Sequence, residues 1–402
     1  MPPPSGKEET MMGWLQILAL LSGNYELSDV VVTSPTDGIS RVEYRIAASA
    51  SKLDEFAITH VQRKSGCLQS KPPVILLSPF LLPGSFYEIS DSGNYRLSTA
   101  GKLAQDGYDV WLVDQRRSKL SPLACEQGTA DCSVMANWDF NALSDDGLLT
   151  LAFVRALHPG KKPVVGGFSA GANAAIAVVN RAPSEVAGTF LYEGSFSTED
   201  PAIRAHNEPI CANLEAALDA GQYYDGSAQM YGLVLQLAAT DPDGPSPIPA
   251  FPPGTTNQMA MLYVFSSPPP AGSLSPTPGF VRCIADFSTQ RFVYTNPARL
   301  FQLRTKFDNY APLAAMRDLA CGLAGVDTSH VDHLAAFKGD LLVFVEGTGF
   351  GQAMFDMASR FTSAHRVTIE HHPELGEADP YFHYDWQQVF YRPFKAWLDD
   401  VL

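Results

Sequence analysis

Ser169 sits in the run Val164-Val165-Gly166-Gly167-Phe168-Ser169-Ala170-Gly171, which passes directly from an apolar stretch into the Ala-rich segment 170–180. A serine hydroxyl can attack a carbonyl when a sharp strand-to-helix turn holds it exposed above a sheet. Glycines two before and two after it remove side chains that would collide there. The positive end of the following helix, together with the Ala170 N–H, would stabilise oxyanion charge developing beside it. The spacing therefore predicts acyl transfer with Ser169 as nucleophile. Such a hydroxyl needs a base to take its proton, and His371, His372 and His383 lie near the C-terminal end. His371 and His372 stand at or just past the apolar run 367–370, where a side chain is packed or solvated. His383 follows a loop, 373–382, and precedes a terminal helix, and the chain order that belongs to this kind of turn selects it.

A nucleophile and base so far apart in sequence need a large scaffold, and 402 residues with 46% hydrophobic content can build one. The 43 acidic and 28 basic residues give a net charge of −15 without any basic run. That balance argues against nucleic acid or an anionic membrane as partner and favours a small or neutral molecule. No apolar run approaches the roughly 20 residues of a membrane span. The segment 11–21 could be a signal-peptide core, but Lys7 is offset by Glu8 and Glu9 and no cleavage pattern follows, so a packed helix is expected. Compartment stays open. Six scattered cysteines contain no Cys-x-x-Cys pair, which speaks against zinc. Cys125 and Cys132 bracket a short polar loop and could close it as a disulfide or remain thiols.

Three runs with period-2 alternation, 29–33, 41–48 and 56–62, come first and read as antiparallel strands. Short wholly apolar runs follow at 74–77, 110–113, 164–167, 188–192, 341–345 and 367–370, as in a parallel sheet buried on both faces. Helical patterns at 98–105, 145–157 and 170–180 separate the first four. From 198 to 337 the alternation breaks into helical pieces, 203–220, 228–239 and 311–323, between Pro-rich loops at 242–253 and 268–278. So long an interruption reads as an inserted cap. The expected division is a core over 1–197 and 338–402 with a cap over 198–337.

The Ser169 run in this setting resembles the α/β-hydrolase superfamily. That resemblance implies a mostly parallel eight-stranded sheet with a large, mainly helical cap between strands 6 and 7. Gly107-Tyr108-Asp109-Val110-Trp111-Leu112-Val113-Asp114 with Arg116, the run Asn137-Trp138-Asp139-Phe140, and His383-Tyr384-Asp385 look more specifically like the acid lipases. In such folds a second oxyanion donor comes from the loop after the third strand, here Ser78-Pro79-Phe80-Leu81. Acid lipases carry His-Gly at Ser78-Pro79, and Pro79 has no N–H. The Phe80 N–H is the expected donor, with Leu81 second.

The acid departs from the usual pattern. Relatives place an Asp after the seventh strand, a few residues beyond a glycine, but here that turn is Glu346-Gly347-Thr348-Gly349-Phe350-Gly351. Leu191-Tyr192-Glu193-Gly194-Ser195 instead resembles the haloalkane dehalogenases, in which a carboxylate closes the sixth strand. Glu193 is thus the expected acid, with Glu346 and then Asp200 as alternatives. Dehalogenation itself is disfavoured, because it needs an Asp nucleophile.

Other motifs read more plainly. Asp114-Gln115-Arg116-Arg117 suggests a stabilising carboxylate-guanidinium pair. His330 and His333 could bind a metal but lack a third ligand, so no metal or other cofactor is expected. Trp138 and Phe140 could line an acyl pocket or simply fill the core. The expected activity is hydrolysis of a hydrophobic or bulky carboxylic ester through an acyl-enzyme on Ser169. The same residues would serve a thioesterase, an amidase or a C–C hydrolase, and a silent ligand-binding protein on this scaffold is the rival of a different class.

Overall fold

The computed structural model describes residues 25–49, 51, 53–64, 71–90, 93–116, 120–121, 123–266 and 283–401. The segment 11–21 and the Pro-rich stretch 268–278 lie outside them. All nine runs read as strands are strands: β1 Glu26–Thr36, β2 Ile39–Ala47, β3 Glu55–Arg63, β4 Val74–Leu77, β5 Val110–Val113, β6 Val164–Phe168, β7 Gly188–Tyr192, β8 Asp340–Thr348 and β9 Arg366–Gly376. They form one sheet in the order β1-β2-β3-β5-β4-β6-β7-β8-β9. The sheet therefore has nine strands where eight were expected. Pairing is antiparallel from β1 through β3 to β5 and parallel from there to β9.

The parallel part follows from composition. In β4, Val74 and Leu76 enter one core and Ile75 and Leu77 the other, so both faces must be covered. Helices α1 Thr99–Gln105, α2 Phe140–Leu157 and α3 Ala170–Arg181 cross between successive strands. Ser98 and Asp139 cap α1 and α2 by accepting the N–H groups of Gly101 and Ala142. From β4 the chain moves outward to β5 and then returns to the other side of β4 as β6. The crossover helices consequently fall on opposite faces, α1 in one core and α3 in the other. A crevice opens at the carboxyl ends of adjacent strands where the order reverses in this way. Ser169 follows β6 at that end.

Between β7 and β8 lie α4 Pro201–Asp219, α5 Gln229–Thr240, α6 Asn257–Ser266 and α7 Leu313–Ala324. Sequence patterns located three of these; α6 was seen only as aromatic residues in a Pro-rich region. Helices α4 and α7 bury Ile210, Leu214, Leu313 and Ala320 against each other, and the Cys211–Cys321 disulfide joins them. Val234, Leu235, Met261, Leu262 and Phe265 of α5 and α6 instead belong to the core beneath α1. Cys125 and Cys132 are also bonded. Helices α8 Gln352–Ser359 and α9 Arg392–Asp400 complete the two layers. No helix among the described residues is long and apolar enough to cross a membrane.

Candidate active site

Ser169 lies at the junction of β6 and α3 with φ 54° and ψ −125°, a left-handed conformation that costs a non-glycine residue energy. The junction holds because its neighbours fit no side chain. A Cβ on Gly171 would fall 2.1 Å from the Leu77 carbonyl oxygen. The Ser169 N–H donates to the Tyr192 carbonyl at 2.8 Å, tying the turn to β7. The side chain is largely enclosed, with 8% of the residue exposed. As the first helical residue, Ala170 offers an N–H with no intrahelical acceptor.

Beside it, the loop leaving β4 carries Ser78, Pro79 and Phe80. Gln115 fixes its start: the Gln115 N–H donates to Ser78 Oγ at 2.9 Å, and its side-chain amide donates to the Ser78 carbonyl at 2.7 Å. Leu81 takes a φ of 61°, and Leu82 N–H closes a turn onto the Pro79 carbonyl. The N–H groups of Phe80 and Leu81 have no backbone acceptor among the described residues. Because β4 and β6 are paired as far as Leu77 and Gly167, this loop and the Ser169 turn leave neighbouring strand ends.

Glu193 follows β7 with φ 52° and is completely buried. Its Oε1 accepts the Glu346 N–H at 2.8 Å and its Oε2 accepts the Phe350 N–H at 2.5 Å. The carboxylate thus lies within the turn after β8, where the Asp of relatives was sought. A Cβ on Gly349 would stand 2.1 Å from Glu193 Oε2, so the two cannot occupy that space together. Burial raises the Glu193 carboxyl, while its bonds from Glu346 and Phe350 pull it back down. Glu346, also fully buried, is pushed much further up, by burial first and then by Glu193, Glu377 and Asp379. Two donated N–H bonds favour the charged form at Glu193, which leaves the proton on Glu346.

His383 follows the short helix Asp379–Phe382 and pairs with Thr295 in an isolated bridge. Tyr294 stacks on its ring with centroids 5.9 Å apart. Its Nδ1 accepts the Asp385 N–H at 2.9 Å, and burial lowers its basicity against the opposing pull of Asp385 and Glu374. No hydrogen bond joins Ser169, His383 and Glu193 among the described residues. The segment ahead of His383 is nonetheless anchored near Ser169, because Phe86 stacks on both Phe168 and Tyr381, at 5.3 and 4.3 Å. Asp379 fastens the same segment to the chain between β7 and β8, accepting Thr295 Oγ1–H and Ile284 N–H, and to the end of β9, accepting Gly376 N–H.

The alternatives take structural places. Asp200 caps α4 by accepting the Ala202 N–H. His371 and His372 lie on β9, at the edge of the sheet, where His371 meets Phe355 and His372 meets Phe344. Arg116 bonds Asp146 and Asp54 and Asp114 accepts the Gly84 N–H, while Arg117, the other guanidinium of that loop, lies outside the described residues. Trp138 and Phe140 are core residues, with the indole N–H on Asp54. His330 is buried beside Asp318 and Asp327, whereas His333 is exposed, so the two histidines form no pair. Two carboxylates thus stand beside His330 where the sequence offered no further ligand, and Asp318 also bonds Arg317 and the Phe140 N–H.

No family model and no curated protein matches the sequence. Among solved structures, a Sulfolobus solfataricus protein classed as a lipase superposes with a TM-score of 0.65 at 18% identity, over 92% of this chain and 99% of its own. A thermophilic esterase from Thermogutta terrifontis gives 0.46 at 16% identity, over 90% and 98%. An esterase from Exiguobacterium antarcticum gives 0.45 at 11%, over 86% and 96%. The first of these matches and the strand order together establish that this chain has the α/β-hydrolase fold.

Proposed function

We propose that the chain is a serine hydrolase of carboxylic esters, with Ser169 as nucleophile, His383 as base and Glu193 as the acid that orients it. The observation that carries this reading is the left-handed Ser169 turn at the carboxyl end of β6, beside a strand-order reversal. His383 takes the hydroxyl proton as Ser169 attacks the carbonyl, and Phe80 and Ala170 N–H groups receive the oxyanion. The leaving alcohol departs with that proton, and His383 then activates water to release the acid. No cofactor enters these steps. In the described arrangement Nδ1 of His383 is an acceptor, so the base must turn from Asp385 to present Nδ1–H to a carboxylate. Catalytic hydrogen bonds often tighten only when substrate is bound.

For Glu193, support comes from its carboxylate lying in the turn after β8 and excluding a side chain at Gly349. Residues 198–337 serve as the cap in this reading, closing over the crevice and favouring a hydrophobic or bulky ester. A second reading, a ligand-binding protein that does not turn over, is favoured by the bond that holds His383 on Asp385. Fluorophosphonate labelling separates the two. The hydrolase labels covalently and loses the label in Ser169→Ala, while a wild type that never labels overturns the proposal. A panel of esters, thioesters and amides then fixes the bond cleaved.

A further inference from the structure

Tyr87 lies in the short helical turn Gly84–Glu88, fully enclosed, and no step above uses it. Its hydroxyl donates to the Leu77 carbonyl at 2.8 Å and accepts the Phe168 N–H at 3.0 Å. Leu77 ends β4, ahead of the loop with Phe80, and Phe168 immediately precedes Ser169. Along a strand, successive N–H groups point to opposite neighbours. Ser169 N–H goes to β7, so Phe168 N–H faces β4, and Tyr87 stands on the last rung between the two strands. The next rung would need an N–H at position 79, which Pro79 lacks. Beyond Tyr87 the strands part, and the first turn of α3 enters the gap, where Gly171 has no room for a Cβ. The turn that presents Tyr87 is itself held, by Asp114 on the Gly84 N–H and by Phe86 stacked on Phe168.

We propose that Tyr87 is a positioning residue, whose hydroxyl sets the separation between the Ser169 turn and the loop that offers the oxyanion donors. The inference rests on the reading of Ser169 as nucleophile. A phenol suits the position because it donates to one strand end and accepts from the other while its ring fills the core. Misplacement of reacting groups by about 1 Å can cost about a hundredfold in rate.

The test compares Tyr87→Phe with Tyr108→Phe, which removes another tyrosine hydroxyl, bonded to Asp399 near the opposite end of the sheet. Rates of fluorophosphonate modification, kcat and KM for a p-nitrophenyl ester, and urea midpoints are measured for both. Tyr87→Phe is expected to lower kcat and the modification rate together by about 10- to 100-fold, with KM within about twofold. Tyr108→Phe is expected to keep all three rate parameters while losing stability. Should Tyr87→Phe not fold, 4-aminophenylalanine at 87, which keeps a donor for Leu77, is expected to fold and react more slowly than wild type. Tyr87 variants that react like wild type overturn this inference alone. A wild type that never reacts at Ser169 overturns the hydrolase reading and this inference with it.

Discussion

Replacing Gly349 by alanine places a methyl carbon 2.1 Å from Glu193 Oε2 and 2.8 Å from its carboxyl carbon. Gly349 does not have a left-handed φ, so the new side chain strains no torsion and the whole effect is steric. Ordinary contact needs roughly 3.5 Å, so the carboxylate must retreat by about 1 Å or more. It then loses its bonds from the Glu346 and Phe350 N–H groups, each worth about 1.5–3 kcal/mol to a charged acceptor. A stability loss of about 3–6 kcal/mol is the upper range, and relaxation of the 346–351 turn lowers it. If Glu193 orients His383, the same shift lowers kcat about a hundredfold. Steady-state kinetics on folded protein, with urea unfolding in parallel, measure both. A companion pair sharpens the test: Glu193→Ala should be nearly inactive, and adding Gly349→Asp should recover at least about tenfold, because the carboxylate then comes from β8. Folded Gly349→Ala with kcat within twofold of wild type, or a double variant no faster than Glu193→Ala, refutes the reasoning.

The remaining expectations concern neighbouring groups and the segment between β7 and β8. Glu193→Gln should lower kcat by about 10³- to 10⁴-fold, whereas Glu346→Gln, replacing a group already neutral, should stay within about threefold; the reverse ranking would exchange their roles. Burial pushes Asp379 from 3.8 up to about 6, so the folded state binds its proton more tightly. Its contribution to stability is complete below about pH 4 and is lost as pH rises through about 6, some 3 kcal/mol in all. Asp379→Asn should remove that slope in urea titrations across pH 4–7, and an unchanged slope would place the titration elsewhere. The Cys211–Cys321 disulfide closes a separation of 110 residues. Replacing both cysteines by alanine should cost about 2–5 kcal/mol in non-reducing urea unfolding. An unchanged midpoint would show that the bond does not form.

The strands were legible because their signal is local: four or five consecutive apolar residues can only be buried on both faces, and Ser98 marks where α1 starts, whereas α2 begins at Phe140 behind the Asp139 cap and not at 145. The Ser169 turn was legible for the same reason, since its glycines answer to contacts within one strand-turn-helix unit and the adjoining β4. What the sequence hid is long-range. Nothing near Cys211 points to Cys321, and nothing near Tyr87 points to both Leu77 and Phe168. The pairing of Arg116 with Asp146 is hidden likewise, because α2 folds back over β5 only once the sheet exists.

Glu193 falls between these cases. Its type and its place after an apolar run were visible, but a reason for the missing Asp was not. β7 and β8 are parallel neighbours, paired from Gly188 with Asp340 to Tyr192 with Phe344. Their carboxyl ends therefore stand one strand spacing apart, about 4.8 Å. A glutamate side chain spans that gap, provided that its backbone turns toward β8 and the receiving position carries no side chain. Both conditions hold, in the φ of 52° at Glu193 and in the glycine at 349. A glycine where a carboxylate is expected, beside a strand that ends in Glu-Gly, is a pattern that sequence reading can seek: the empty position makes room for a carboxylate from the neighbouring strand.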